Sequence, residues 1–341
     1  MGLIKKSLSS YFTSQKIFEE IGDRSQLGIT LGNIGNIHFV TQNSDLANIY
    51  YNKQLNIFKS INKLSGIATS YGSLGRIFAS KGDYKRALEY YRKQYHINRL
   101  LKIEDSISTS FGNIGKLYFD IGKYKKSINY FTKQYKISLS ISKKDEILSS
   151  LLNLGGANTL INNYKEAIKF YDKALSLIKN NVMNLDAFNL YLNYCELLIK
   201  LKQYKKAFIY CNKVISLKKH CSDVDLILIA KIIFQKIKIL HLLNTLNLQK
   251  RYESKELNYN FTNAIDKVEF YSKKLSGEEY IADAYYVLNE IVYYAKMSNI
   301  RVKKELEIKK KAIDLHKELL LRIPNSIYKL QLKAIIEDKF S

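Results

Sequence analysis

Apolar residues recur along the chain at helical spacing, and the whole pattern returns every forty residues. Leu31 opens the stretch LGNIGNIHFVTQN, Tyr71 opens YGSLGRIFASKGD, and Phe111 opens FGNIGKLYFDIGK. LLNLGGANTLINN from Leu151 and YLNYCELLIKLKQ from Tyr191 continue the series without insertion or deletion. A period of this length marks tandem supersecondary units that bury their apolar faces against one another. In the second unit the spacing predicts a helix A over roughly 65–81, a turn at Gly82-Asp83 and a helix B over roughly 84–101. Gly122-Lys123 and Asn162-Asn163 repeat that turn, because Gly and Asn tolerate a left-handed helix cap. Polar segments at 102–105 and 142–145 link one unit to the next.

Stacking the units aligns residues into columns that have packing reasons. Gly35, Gly75, Gly115 and Gly155 fall in mid-helix, where Gly costs roughly 1 kcal/mol relative to Ala. A cost repeated this way implies close approach of a neighbouring helix, and Cys195 takes the slot as another small residue. Ala47, Ala87, Ser127, Ala167 and Ala207 form a second small column. Tyr51, Tyr91, Phe131 and Tyr171 fill one aromatic column, and Tyr84, Tyr124, Tyr164 and Tyr204 another. Small columns facing large ones interlock two helices.

The periodic spelling divides the chain into three parts. Residues 1–22 read as an orphan helix B, over about 8–21, without its helix A; that points to a truncated chain or an exposed end. Residues 23–220 hold the five regular units. Residues 221–341 are degenerate hairpins and a last helix, with predicted helices near 224–243, 258–274, 278–297, 302–321 and 326–338. The span 245–256 is the expected connector, and Pro324 the expected start of the final helix.

The order of small Gly column, turn, Ala column and aromatic column resembles the tetratricopeptide repeat. Phrases such as LGNIG and KGDYKRALEYY are similar to its forty-residue variant, found in Pins/LGN-type adaptors, kinesin light chains and bacterial multi-repeat proteins. The resemblance implies an all-α, right-handed α-solenoid of tandem helix–turn–helix units, with helix A lining a concave groove. Two departures stand out: no Pro closes helix B, and Gln54, Gln94 and Gln134 replace a usual Ala. Those glutamines point to looser or more polar contact between successive units.

Composition adds constraints. One Pro among 341 residues leaves few obligatory helix breaks, and 46% hydrophobic residues suffice for a continuous interior. Three cysteines, Cys195, Cys211 and Cys221, do not make a paired disulfide framework. No uninterrupted apolar run is long enough to span a bilayer and the start lacks an apolar leader core, so cytoplasm is the expected location. The formal charge of +24 attracts acidic partners, although an AT-rich coding sequence would also yield this Lys, Asn and Ile content.

Candidate chemistry is sparse. GNIG and GSLG recur inside helix A, which makes them packing glycines rather than phosphate or nucleic-acid loops. Five scattered histidines, with Cys211, His220 and Cys221, do not complete a metal ligand set, and no nucleophile or Walker motif appears. No cofactor or catalysis is expected. The informative column is polar: Asn33, Ser73, Asn113, Asn153 and Asn193 on helix A. An Asn amide offers donors and an acceptor to the backbone of an extended peptide. Asn36, Arg76, Lys116, Gly156 and Glu196 lie three residues further on and vary, and the two cations would select an acidic segment. A second column, Lys53, Lys93, Lys133, Lys173 and Lys213, reads as a solvated face. Few Arg and no exposed aromatic–basic interleaving argue against base-specific reading, and nucleic acid is not the expected partner. The expectation is a non-catalytic scaffold for a protein or peptide. A sensory module of a signalling protein is the first alternative, and nucleic-acid binding along the lysine ridge the second.

Overall fold

The computed structural model describes residues 2–178, 185–216, 224–249, 254–298, 300–302, 304–322 and 326–340. Among them are sixteen α-helices and no strand. The chain divides into two compact units, Met1–Ser150 and Leu151–Ser341. The first holds α1 (Gly2–Glu20), α2 (Arg24–Val40), α3 (Ser44–Ser60), α4 (Leu64–Ser80), α5 (Tyr84–Leu100), α6 (Glu104–Asp120) and α7 (Tyr124–Ser140). The division falls within α8 (Lys144–Leu160). The second unit continues with α9 (Tyr164–Leu177), α10 (Leu185–Lys200), α11 (Tyr204–Ser216) and α12 (Val224–Gln249). It ends with α13 (Ser254–Ser272), α14 (Glu278–Met297), α15 (Glu305–Arg322) and α16 (Ser326–Glu337).

From α2 to α7 each helix has seventeen residues, and a three-residue turn separates it from the next. The forty-residue period is therefore two equal halves. Gly22, Gln42, Asn62, Gly82, Lys102, Gly122, Ser142, Asn162 and Lys202 take the left-handed conformation, with φ between 51° and 76°. At α4 the amide of Asp83 donates to the carbonyl of Phe78 at 2.8 Å, and that of Gly82 to Ala79 at 3.0 Å. This double bond pattern is the Schellman cap, which satisfies carbonyls left open at a helix end. The same pair closes α5, from Ile103 to Asn98 and from Lys102 to Arg99, each at 3.2 Å. Asp23, Asn43 and Asp83 then accept from the amides of Gln26, Leu46 and Arg86, capping the helices that follow.

The glycine columns are contact surfaces. A Cβ on Gly35, Gly75, Gly115 or Gly155 would sit 2.7, 2.5, 2.7 or 2.4 Å from the ring of Tyr51, Tyr91, Phe131 or Tyr171. In the fifth regular unit both partners change together, to buried Cys195 on α10 and buried Cys211 on α11. A second glycine column corrects the reading of the glutamines. Gly32, Gly72 and Gly112 lie against the side-chain amides of Gln54, Gln94 and Gln134, with a Cβ falling 2.1, 2.5 and 2.7 Å from Nε2. The glutamines are buried and lie tight against helix A of their own unit, so they do not loosen the contact between units. Polar junctions between units exist elsewhere. Asn98 donates to the carbonyl of Ser106 at 3.0 Å and to Ser110 Oγ at 3.1 Å. Ser108 donates to Glu146 Oε2 at 2.6 Å, and Ser138 to the same oxygen at 3.2 Å. At the equivalent place in the first regular unit, the ring of Phe58 is clasped between Gly28 and Gly66.

The second unit has a core of Phe261, Val268, Leu288, Ile291, Ala312 and Ile335. α14 matches its predicted span, but α12 runs on through 245–249, where a connector was expected. Apolar positions on that stretch keep helical spacing, and nothing in it breaks a helix. α13 likewise begins at Ser254, inside the expected connector, and α1 begins at Gly2 rather than near residue 8. His220, Cys221 and Pro324 lie outside the described residues. Among the described residues no helix is long and apolar enough to cross a membrane.

Candidate peptide-binding surface

The candidate residues sit on the A helices, which present one face to the ring of the paired helix and leave another open. In the first unit the buried edge of α4 is Gly72, Leu74 and Gly75; Ser73 is buried beside them at 8% exposure. One turn along the open side, Asn36 and Arg76 are exposed. They are joined: Asn36 Oδ1 accepts from the Tyr51 hydroxyl at 2.8 Å and from Arg76 Nη2 at 3.0 Å. The Arg76 guanidinium also lies over the Phe39 ring at 5.2 Å. Burial pushes the Tyr51 hydroxyl up, opposed by Arg76. The group is therefore a fixed neutral hydroxyl, an amide and a cation that has no carboxylate partner among the described residues.

Lys116 occupies the next equivalent position but is spoken for, with Asp120 Oδ1 at 2.6 Å. Burial raises the Asp120 carboxyl, and Lys116 opposes that shift. Asn113 donates to Gln94 Oε1 at 3.2 Å. It thereby satisfies the buried glutamine, whereas Oε1 of Gln54 and Gln134 has no hydrogen-bond partner among the described residues. Asn33 is half-buried and makes no hydrogen bond among the described residues.

In the second unit Asn153 on α8 and Asn193 on α10 are also half-buried, with no hydrogen bond among the described residues. The charge beside them is negative. Glu196 is exposed at the position equivalent to Arg76, and desolvation by surrounding protein raises its carboxyl. Lys236 opposes that shift, and Asp283 and Glu290 add to it. Lys236 is held by Glu290 Oε2 at 2.6 Å. Asp283 is pushed up to about 6 by burial, against a hydrogen bond of 2.9 Å from Gln331. Tyr194 donates to Asp172 at 2.9 Å.

Of the eight candidate residues, the structure leaves Asn33, Asn153 and Asn193 with unused amides. It ties Asn36 to Arg76, Asn113 to Gln94 and Lys116 to Asp120, and it buries Ser73. The approach of Asp283 and Glu290 to Glu196 was not foreseen. Glu196 was visible in the column, three residues beyond Asn193, but its acidic surroundings were not. Asp283 falls where the periodic spelling has faded.

No group of His, Cys, Asp and Glu among the described residues could hold a metal ion. No curated protein matches the chain. Solved structures match it at low identity. The apo quorum sensor NprR from B. thuringiensis aligns over 92% of this chain and 84% of its own, at 17% identity and a TM-score of 0.63. The Rap conjugation gene regulator of plasmid pLS20, solved with a Phr peptide, covers 86% of this chain and 74% of its own (13% identity, TM-score 0.58). Aspartyl phosphate phosphatase F from Bacillus subtilis covers 94% and 74% (14% identity, TM-score 0.56). These likenesses establish a shared helical-repeat fold. Tetratricopeptide repeat profiles match residues 26–95, 106–180 and 188–221, more than half of the sequence. The chain belongs to the tetratricopeptide repeat family.

Proposed function

We propose that this protein is a non-catalytic interaction module that holds an extended peptide along its A helices. The observation that carries this reading is the set of unused side-chain amides at Asn33, Asn153 and Asn193, repeated at one position of the helix pair. An amide of this kind bonds a peptide backbone through its oxygen and its NH2 group together, independently of the peptide's side chains. Arg76 is the group suited to an acidic residue of the ligand, because it is fixed by Asn36 and carries its charge unpaired. Lys116, neutralised by Asp120, contributes less to that preference than its place in the column implies. The Rap regulator solved with a peptide has the same fold, which supports a peptide as the ligand class.

A second reading, a ligand-responsive regulator in the cytoplasm, draws on the same neighbours, which include a quorum sensor and a conjugation gene regulator. In that reading the peptide is a signal rather than a tether. Selection of binding decapeptides from a random library gives the test. Asn153→Ala and Asn193→Ala are each expected to weaken the selected peptide by about 1 kcal/mol, roughly fivefold, for one lost bond. Unchanged affinity in both variants, with helicity retained, would refute the assignment.

A further inference from the structure

The lysine column is not a plain solvated face. In the first unit every one of its members lies on an aromatic ring. Lys53 sits over Tyr50 at 5.3 Å; Lys93 over Tyr90 at 5.4 Å and Tyr71 at 5.7 Å; Lys133 over Tyr130 at 5.1 Å and Phe111 at 5.5 Å. A second cation caps the other end of two of these ring stacks. Arg86 lies over Phe78 at 4.4 Å and Lys126 over Tyr118 at 5.7 Å. The rings between are stacked, Phe78 with Tyr90 at 5.3 Å and Tyr118 with Tyr130 at 5.5 Å. Basic and aromatic groups thus interleave twice at equivalent positions of successive hairpins. Each of these lysines and its nearest tyrosine stand three residues apart on one helix, but the second ring under Lys93 and Lys133, and the ring under each second cation, come from the paired helix, which the spacing alone does not reveal.

Three further observations define what this edge can bind. The cations are concentrated: α5 and α7 carry Glu89 as their single acidic residue. Lys85, Arg92, Lys93, Lys125, Lys126 and Lys133 are exposed and have no carboxylate partner among the described residues. The faces of the stacked rings are already covered by one another and by the cations, so the rings hold ammonium groups in place rather than offer a surface for bases. Finally, the large apolar residues exposed on these two helices are Leu100 and Leu139, each at a helix end. A protein partner needs a buried apolar anchor, and a membrane surface needs apolar residues to insert. This edge supplies neither. It supplies preplaced positive charge.

We propose that the α5–α7 edge binds the phosphate backbone of nucleic acid, without base specificity. Binding rests on ion release, so affinity falls steeply with salt. About five phosphates neutralised give a log–log slope of about −3.5 for a single strand, or roughly a hundredfold loss between 50 and 200 mM salt.

The test measures fluorescence anisotropy of labelled twenty-nucleotide oligouridine and oligothymidine on the full chain across a salt series. Lys93→Glu/Lys126→Glu/Lys133→Glu is compared with Lys310→Glu/Lys317→Glu/Lys329→Glu, which makes the same change of net charge at exposed lysines of the second unit. Circular dichroism checks that both variants fold. The expected result is similar binding of both oligomers, a loss of tenfold or more in the first variant with a slope shallower by about 2, and a small change in the second. Equal losses in the two variants would show attraction to net charge alone and overturn the proposal, as would absence of binding at low salt. Phosphatidylserine vesicles form the remaining arm. Retention on them with the same dependence on the three lysines would assign the edge to an anionic lipid surface and also overturn it.

Discussion

Exchanging Gly115 and Phe131 for the residues of the fifth regular unit tests whether the glycine and aromatic columns are one interlocking device. A Cβ at Gly115 would stand 2.7 Å from two atoms of the Phe131 ring, whereas carbon atoms rest at about 3.5–4.0 Å. Phe131 is fully buried and has little room to retreat. Gly115→Cys is therefore expected to cost about 2–3 kcal/mol by overpacking, offset by a few tenths from better helix propensity. Phe131→Cys removes most of a buried ring and is expected to cost about 3 kcal/mol in lost contacts and cavity. Independent effects would sum to about 5 kcal/mol. In the double variant the new thiol at 115 occupies space the ring has left, as Cys195 and Cys211 share theirs, so the cost should fall to about 2–3 kcal/mol. Urea unfolding of the four proteins, followed by far-ultraviolet circular dichroism, gives the coupling directly. Additivity within about 0.5 kcal/mol would refute the paired-column reasoning.

Other consequences are simpler to measure. Lys102 has φ of 54°, which costs an L side chain about 1 kcal/mol or more, so Lys102→Gly should raise the urea midpoint despite adding a glycine. A lowered midpoint would show that the Lys102 side chain carries an unrecognised contact. Asn98→Ala strips two hydrogen bonds from a buried junction and should destabilise by about 1–3 kcal/mol, visible as an earlier thermal transition. Asp283 is pushed up to about 6 in the folded state, so between about pH 4 and 6 the folded chain keeps a proton that the unfolded chain has released. Its stabilising contribution is full below about pH 4 and is lost as pH rises through 6. Asp283→Asn should therefore be more stable relative to wild type at pH 7 than at pH 4.5, and an equal difference at both would contradict that burial cost.

The sequence displayed whatever repeats at one position of one helix. Gly75 facing Tyr91, and Ala87 with its column, are legible because stacking the units aligns them and small-against-large has a single packing meaning. What requires two helices to be superposed was harder to see. Gln54 reads as a polar intrusion until Gly32 is placed beneath its amide. Lys93 reads as a solvated charge until Tyr71, from the preceding helix, is placed under it. The turns from B to A were also obscure, because Asn62, Lys102 and Ser142 take the conformation that glycine advertises at Gly82 and Gly122. Of the candidate site, the positions were visible in the Asn column, but not their occupancy. Nothing in the spacing reveals that Asn113 is committed to Gln94 while Asn33 is free.

The polar and apolar junctions between neighbouring hairpins have a consequence for how this array can change. Seventeen-residue helices joined by three-residue caps leave no slack: one inserted residue turns everything after it by roughly 100° and scrambles every column. Changes of length must therefore come as whole forty-residue blocks. Even these are not interchangeable. Excising 64–103 would carry the Phe58 ring onto Ser106 in place of Gly66, and Asn98, the partner of Ser106, would go with the excised block. Each boundary works like a keyed connector, glycine for a ring, serine for an amide, glutamate for serines, and the keys fix the serial order of blocks whose internal plans are the same.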